Sequence, residues 1–242
     1  MGIWGWWAFD VFTLLASYLS IEAISAQTIL RSLGLLTFMV PVGFSVACGI
    51  MVGQNIGRGC ALSIYHYYKV SMFLSLFVGL AQVALLVPFM HQVISVFTDK
   101  TGVADTIASA WWIFMIFVVF DTTQGIAMSA IRASGKQKVG AIVTFINYWI
   151  VGIPVTLLAA FKYGLGISGI WLGPTLAVFL NTAIYVMIFY RLDWDLLIMD
   201  AAKQREEAKL ESDKKADAVE PEADGAADEE TDDNFKKTNT LN

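Results

Sequence analysis

Residues 70–90 read VSMFLSLFVGLAQVALLVPFM, and this run constrains the fold more than any other stretch of the chain. A helix on the surface of a water-soluble bundle needs a polar stripe recurring every 3.6 residues. This run offers no charged stripe of that period, so its natural solvent is hydrocarbon. Six such apolar segments can be marked, at about 4–21, 25–55, 70–97, 106–131, 139–161 and 167–190. Most hold 18 or more residues, enough for a helix to cross roughly 30 Å of bilayer core. The expected fold is an all-α polytopic membrane protein with six transmembrane helices, with a buried soluble core as the lesser alternative.

Composition agrees where it bears on this point. Of the 242 residues 57% are hydrophobic and only 15% charged, against about 25% charged in a soluble domain; mean hydropathy is +0.61. The charge is segregated. Residues 1–191 carry a net +4, and residues 192–242 a net −9. The overall acidity therefore belongs to the end of the chain, and two regions are expected: a six-span membrane lobe over 1–192 and an acidic cytoplasmic tail over 193–242. AAKQREEAKLESDKKAD is rich in helix formers, whereas EPEADGAADEETDDNFKKTNTLN has too little apolar area to offset its ordering entropy. Nothing in this charge pattern suits nucleic acid.

With Met1 on the cytoplasmic side, the inner connections hold Arg58, Lys69, Arg132, Lys136 and Lys138, with Arg191 after the last span; the outer ones hold Lys100 and Lys162. Basic residues in short loops favour the cytoplasmic face, which places both ends inside. Trp4, Trp6, Trp7, Trp111, Trp112, Tyr163 and Tyr190 stand near segment ends, as interfacial anchors do. Pro41, Pro88, Pro154 and Pro174 lie within apolar segments. Each can remove a helical hydrogen bond, and such breaks are tolerated where protein or a cavity surrounds them.

Two carboxylates fall inside spans, Asp10 in WGWWAFDVFTLL and Asp121 in IFVVFDTTQGIAMSA. A carboxylate in hydrocarbon is costly unless it faces protein or water, or takes up a proton. That balance suits a site that binds a proton, Na+ or an organic cation at one stage and releases it at another. Gln124 stands three residues after Asp121 and shares its helical face. Asn147 and Tyr148 add polar groups in another span; Gln82, Asn181, Gln27 and Ser32 are more ambiguous. Arg31 either snorkels to an interface or pairs with Glu22 or an intramembrane carboxylate. Cys48 and Cys60 have no metal-site spacing, and GQNIGRG lacks the pattern and strand context of a phosphate loop. No nucleophile–His–acid constellation occurs, so no enzyme, cofactor or metal is expected.

WWAFD, VPVGFSVACGIMVGQNIGRG, IRASGKQKVGAIVTFINYWIVGIP and GLGISGIWLGP together resemble the multidrug and toxic compound extrusion (MATE) transporter family, over residues 4–192. They look like the carboxyl-terminal half of a member, one lobe of a twelve-helix transporter. The resemblance implies two lobes around a central cleft and export of organic cations or amphipathic solutes in exchange for protons or sodium. Many eukaryotic relatives read approximately EWWAFE where this chain has GWWAFD. Asp10 falls on the second acidic position and Gly5 on the first; Asp121 falls where relatives carry Glu or Asp, and Ser32 where some carry Glu or Asn. The resemblance implies Asp121 and Asp10 as substrate or coupling-ion residues, and the reading of the residues themselves adds Gln124, Asn147 and Tyr148 as groups that orient cargo or support those carboxylates. It also implies a partner lobe, either earlier in the same chain or in a second half-size subunit, and residence in the plasma membrane or an internal vesicle or vacuole membrane. The alternative is a non-transporting membrane scaffold whose acidic tail binds a partner.

Overall fold

The computed structural model describes residues 2–212. No strand occurs among them. The chain packs as two units, Met1–Trp194 and Asp195–Asn242. In the first, α1 (Gly2–Ser17) leads into α2 (Ile21–Arg58) and α3 (Ala61–Leu86). The short α4 (Met90–Phe97) precedes the long α5 (Thr101–Ala133). A composite rod follows: α6 (Gln137–Phe145), a π-helical segment Ile146–Gly152, α7 (Ile153–Leu157) and a second π-helical segment Leu158–Lys162. The unit closes with α8 (Gly166–Arg191). In the second unit the described residues are helical as far as 212. EPEADGAADEETDDNFKKTNTLN lies outside the described residues.

Among the described residues, five rods are long and apolar enough to cross a membrane: Ile21–Arg58, Ala61–Leu86, Thr101–Ala133, Gln137–Lys162 and Gly166–Arg191. The sixth, α1, has 16 residues and falls short of the roughly 20 that a span needs. Helix α5 is the hub and packs against α2, α3 and α8. Ile107, Trp111, Phe114, Met115 and Val118 of α5 join Phe12, Leu30, Ile170, Trp171 and Val178 in one buried core. Trp111 is therefore an interior residue rather than the interfacial anchor its position suggested.

The boundaries follow from local chemistry. Ser20 starts α2, its hydroxyl accepting from the Ala23 N–H at 3.0 Å, which satisfies one of the orphan donors of a helix start. Gly59, at φ 77°, ends α2 and donates to the Asn55 and Ile56 carbonyls; only glycine takes this left-handed cap without cost. The turn that GQNIGRG supplies is thus a helix stop. The apolar segment expected at 70–97 is two helices. The first begins at Ala61, immediately after the Gly59 turn, so Lys69 sits inside α3 and not in a connection. It ends at Leu86, because Pro88 cannot donate to the ladder and its ring crowds the preceding turn.

Pro41 and Pro174, in contrast, stay inside unbroken helices. A helical proline strips the carbonyl four residues earlier of its partner, and both freed carbonyls are satisfied from a neighbouring rod. Gln82 Nε2 of α3 donates to the Thr37 carbonyl at 2.9 Å, four residues before Pro41. Thr156 Oγ1 of α7 donates to the Ile170 carbonyl at 3.3 Å, four residues before Pro174. Side-chain rescue of this kind is what makes proline tolerable in a membrane helix. Pro154 sits at the second position of α7, between the two π-helical segments.

The α8 rod meets the composite rod backbone to backbone. A Cβ at Gly169 would lie 2.5 Å from the Ala160 nitrogen, and one at Gly173 would run into the Thr156 hydroxyl and the Gly152 carbonyl. Small residues permit this approach, and dispersion packing then holds the helices together. That is the physical role of GLGISGIWLGP.

Candidate functional site

Four rods and α1 surround a cavity of about 140 Å³. Each contributes a stripe at helical spacing. Helix α1 supplies Gly5, Trp6 and Phe9; α2 supplies Arg31, Gly34, Leu35 and Phe38; and α5 supplies Phe117, Asp121, Gln124 and Met128. Thr144 and Tyr148 come from the composite rod, and Trp171 from α8.

The walls are mostly aromatic. Phe9 stands 5.8 Å from Phe117, 6.1 Å from Trp171 and 6.2 Å from Tyr148, centroid to centroid, and Phe117 meets Trp171 edge to face at 5.2 Å. Such contacts fix the rings and leave their faces and edges as a rigid lining. Glycine at position 5 keeps one wall open: a Cβ there would touch the Tyr148 ring at 3.8 Å. A longer side chain would project toward that ring.

Asp121 is half-buried and lines this space. No salt bridge reaches it among the described residues. Gln124, one helical turn on, is only 8% exposed and its Oε1 has no hydrogen-bond partner. Both residues line the cavity from one face of α5; Asp121 has no ion-pair partner among the described residues, and Gln124 Oε1, closed off from solvent, has no protein donor. An orphaned buried acceptor costs about 1–3 kcal/mol, which a ligand's N–H or a water can recover. Thr144 joins the lining to Tyr185 of α8. The Thr144 hydroxyl, the Tyr185 hydroxyl and the Gly140 carbonyl form a triangle with sides of 2.5, 2.9 and 2.8 Å, in which two protons serve three contacts: one hydroxyl donates to the other and the second donates to the carbonyl.

Of the residues expected to carry chemistry, Asp121, Gln124 and Tyr148 share the cavity. Asp10 and Asn147 stand outside its lining. Asp10 is 65% exposed and receives Arg31 Nη1 at 2.7 Å. Arg31 Nη1 also reaches the Thr13 hydroxyl at 3.5 Å. Of the two fates open to Arg31, pairing with an intramembrane carboxylate is the one adopted, and its partner is Asp10 rather than Glu22. Asn147 is buried directly behind the wall and donates to Asn181 Oδ1 at 2.7 Å, tying the first π-helical segment to α8. Ser32 turns back on its own helix, bonding to the Thr28 carbonyl at 2.9 Å. Phe9, Phe117, Thr144 and Trp171 were not singled out from the sequence. The spacings 117/121/124/128 and 144/148 were the available signal.

The fold is thus an all-helical bundle of membrane-length rods around a carboxylate-bearing aromatic cavity. The MatE family profile matches residues 2–158, and the chain belongs to that family. It is similar to "Multidrug and toxin extrusion protein 2" of Homo sapiens, with 32% identity over 200 residues that cover 82% of this chain and 33% of that protein. "Multidrug and toxin extrusion protein 1" of Danio rerio is 29% identical over 81% of this chain and 33% of its own length. Among solved structures, the eukaryotic MATE transporter AtDTX14 superposes with a TM-score of 0.78 at 22% identity, over 82% of this chain and 45% of that one. The chain thus spans about a third of the length of these curated relatives. Family membership and five membrane-crossing rods make it an integral membrane protein.

Proposed function

We propose that this chain supplies one lobe of a secondary active transporter that exports organic cations or amphipathic solutes in exchange for protons or Na+. The observation that carries the reading is Asp121, a carboxylate without an ion-pair partner among the described residues, set in an aromatic cavity beside the unpartnered Gln124 Oε1. Aromatic faces and a carboxylate both attract an organic cation. A proton or Na+ neutralises the same carboxylate, so cargo and coupling ion compete for one charge. Competition alone produces exchange only if the two ligands bias the inward- and outward-open states differently.

The second lobe comes from further residues of the same chain or from a second half-size subunit. With α1 crossing as a short sixth rod, which a bilayer accommodates by local thinning, the basic residues support a cytoplasmic location for both ends of the lobe. Arg58, Arg132, Lys136, Lys138 and Arg191 all fall at turns on the inner end in this orientation, and Lys100 and Lys162 at the outer turns. Asp10 serves the site through Arg31, and Asn147 through the hydrogen bond that anchors the wall behind Tyr148.

Reconstitution in proteoliposomes tests the proposal. Efflux of a labelled organic cation is expected to follow an imposed proton or sodium gradient, and Asp121→Asn to uncouple it. Flux in the Asp121→Asn protein that keeps its full ion dependence would sink the assignment.

A further inference from the structure

One side chain of the cavity lining also belongs to a buried hydroxyl pair. Thr144 of the composite rod lines the cavity and meets Tyr185 of α8, oxygen to oxygen, at 2.5 Å. Both side chains are closed off from solvent. Packing gives no reason for the pair. Gly169 and Gly173 already bring α8 against the same rod, and two apolar side chains of like shape would fill the seam at little cost. The pair has two proton arrangements, because a hydroxyl has one proton to give and two lone pairs to accept with. Either Thr144 donates to Tyr185 and Tyr185 to the Gly140 carbonyl, or Tyr185 donates to Thr144 and Thr144 to that carbonyl. The same three oxygens serve both, so the pair switches by turning two O–H bonds.

The pair also leads somewhere. On one side, Asp121 and Tyr148 line the cavity with Thr144, and Tyr148 lies within electrostatic reach of both Asp121 and Tyr185. On the other side, Arg132, exposed in the last turn of α5, is close enough for its charge to act on Tyr185. Helix α8 ends at Arg191, six residues and about 9 Å beyond Tyr185. The groups facing Tyr185 are thus Thr144 and Tyr148 from the composite rod and Arg132 from α5. The line Asp121, Thr144, Tyr185, Arg132 runs from the cavity toward the end of the bundle where α5 and α8 stop and α6 begins. In the proposed orientation that end is cytoplasmic.

We propose that Thr144 and Tyr185 form a proton relay behind the cavity wall, carrying the coupling proton between Asp121 and the cytoplasmic face. The inference rests on the reading of Asp121 as a proton-coupled cargo carboxylate. A water held between Asp121 and Thr144 has the polar partners it needs in the lining. The Asp121 O–H bond breaks as one forms at that water, whose own proton passes to Thr144. The Thr144 proton passes to Tyr185, and the Tyr185 proton to water beside Arg132. Each relay oxygen takes one proton and gives one, so only Asp121 and the final water change charge. A relay apart from the cargo path has a physical use: an organic cation seated on Asp121 displaces the proton and, at the same moment, fills the cavity through which water would otherwise carry it away.

Two fluxes of a labelled organic cation are measured with the complete protein in proteoliposomes: efflux driven by a proton gradient, and cation–cation exchange at equal pH. Only the first needs net proton transfer. Tyr185→Phe is expected to slow proton-driven efflux about tenfold, since loose water replaces only part of what a positioned proton-transfer group supplies. It should leave exchange at equal pH unchanged, because Tyr185 lies outside the cavity lining. Thr144→Val should slow proton-driven efflux to the same rate, and the double variant should be no slower, as for two links of one relay. Thr144→Ser keeps the hydroxyl and should keep the wild-type rate. Each single variant leaves the other hydroxyl to serve the Gly140 carbonyl, so both should fold. Unchanged proton-driven efflux in Tyr185→Phe overturns the relay. So does an equal loss of both fluxes, which marks a packing contact. Wild-type efflux that follows Na+ and ignores protons overturns the relay but not the role of Asp121, provided Asp121→Asn abolishes it. Full proton dependence in Asp121→Asn overturns the carboxylate reading as well.

Discussion

Asp10 and Asp121 are two carboxylates in apolar helices with opposite situations. Asp10, on α1, is largely exposed and held at 2.7 Å by a guanidinium. Asp121, on α5, lines an aromatic cavity with no ion-pair partner among the described residues. The first is a finished interaction and the second an open one. The difference teaches that an acidic residue in a span is not by itself a site. What matters is whether a protein cation has already answered it, since only an unanswered charge has free energy left to give to a ligand.

The sharpest way to break this comparison is to neutralise each carboxylate in turn. Asp121→Asn is expected to weaken binding of a labelled organic cation about a hundredfold, in line with losing one partner of a desolvated charge contact. Scintillation-proximity binding measures it, and a change below threefold would place the cargo elsewhere. Asp10→Asn, by comparison, should lower unfolding stability by less than about 1 kcal/mol, as for other solvent-exposed pairs.

Between these extremes fall two side chains that differ in the same manner. Gln82 is committed to the carbonyl that Pro41 frees. Gln82→Leu should therefore destabilise the bundle by about 1–3 kcal/mol, read by thermal unfolding in detergent. That loss should shrink in a Pro41→Ala background, where the helix closes its own bond; an equal loss in both backgrounds would remove the rescue argument. The Oε1 of both side chains lacks a protein partner, but Gln124 rescues no freed carbonyl, so Gln124→Leu should cost less stability than Gln82→Leu and weaken cation binding about tenfold. A stability loss without a binding loss would make Gln124 a packing residue.

Much of the architecture was legible in the residues. Hydrocarbon-length apolar runs located the rods, and Ser20 and Gly59 are ordinary punctuation for the ends of α2. The i,i+3 spacing of Asp121 and Gln124 put them on one face, and the structure opens that face onto the cavity. The rest depends on contacts between rods, which periodicity does not encode. Arg31 and Asp10 are neighbours because α1 and α2 pack side by side, and nothing local distinguishes Asp10 from Glu22 as the partner. Pro88 ends a helix while Pro41 and Pro174 do not; for the latter two, Gln82 and Thr156 reach across from another helix. Asn147 and Tyr148 are adjacent in sequence, yet only Tyr148 lines the cavity. Neighbouring residues of a helix do not share a face, and Asn147 turns to Asn181 instead.

The central claim is that cargo and coupling ion compete for the carboxylate of Asp121. Its most direct test is equilibrium binding of a labelled organic cation titrated with protons and, separately, with Na+, in the wild type and in Asp121→Asn. The account predicts that one of the two ions displaces the wild-type cation competitively, and that the residual binding of Asp121→Asn is insensitive to both. Ion-dependent displacement of equal strength in the two proteins would contradict it.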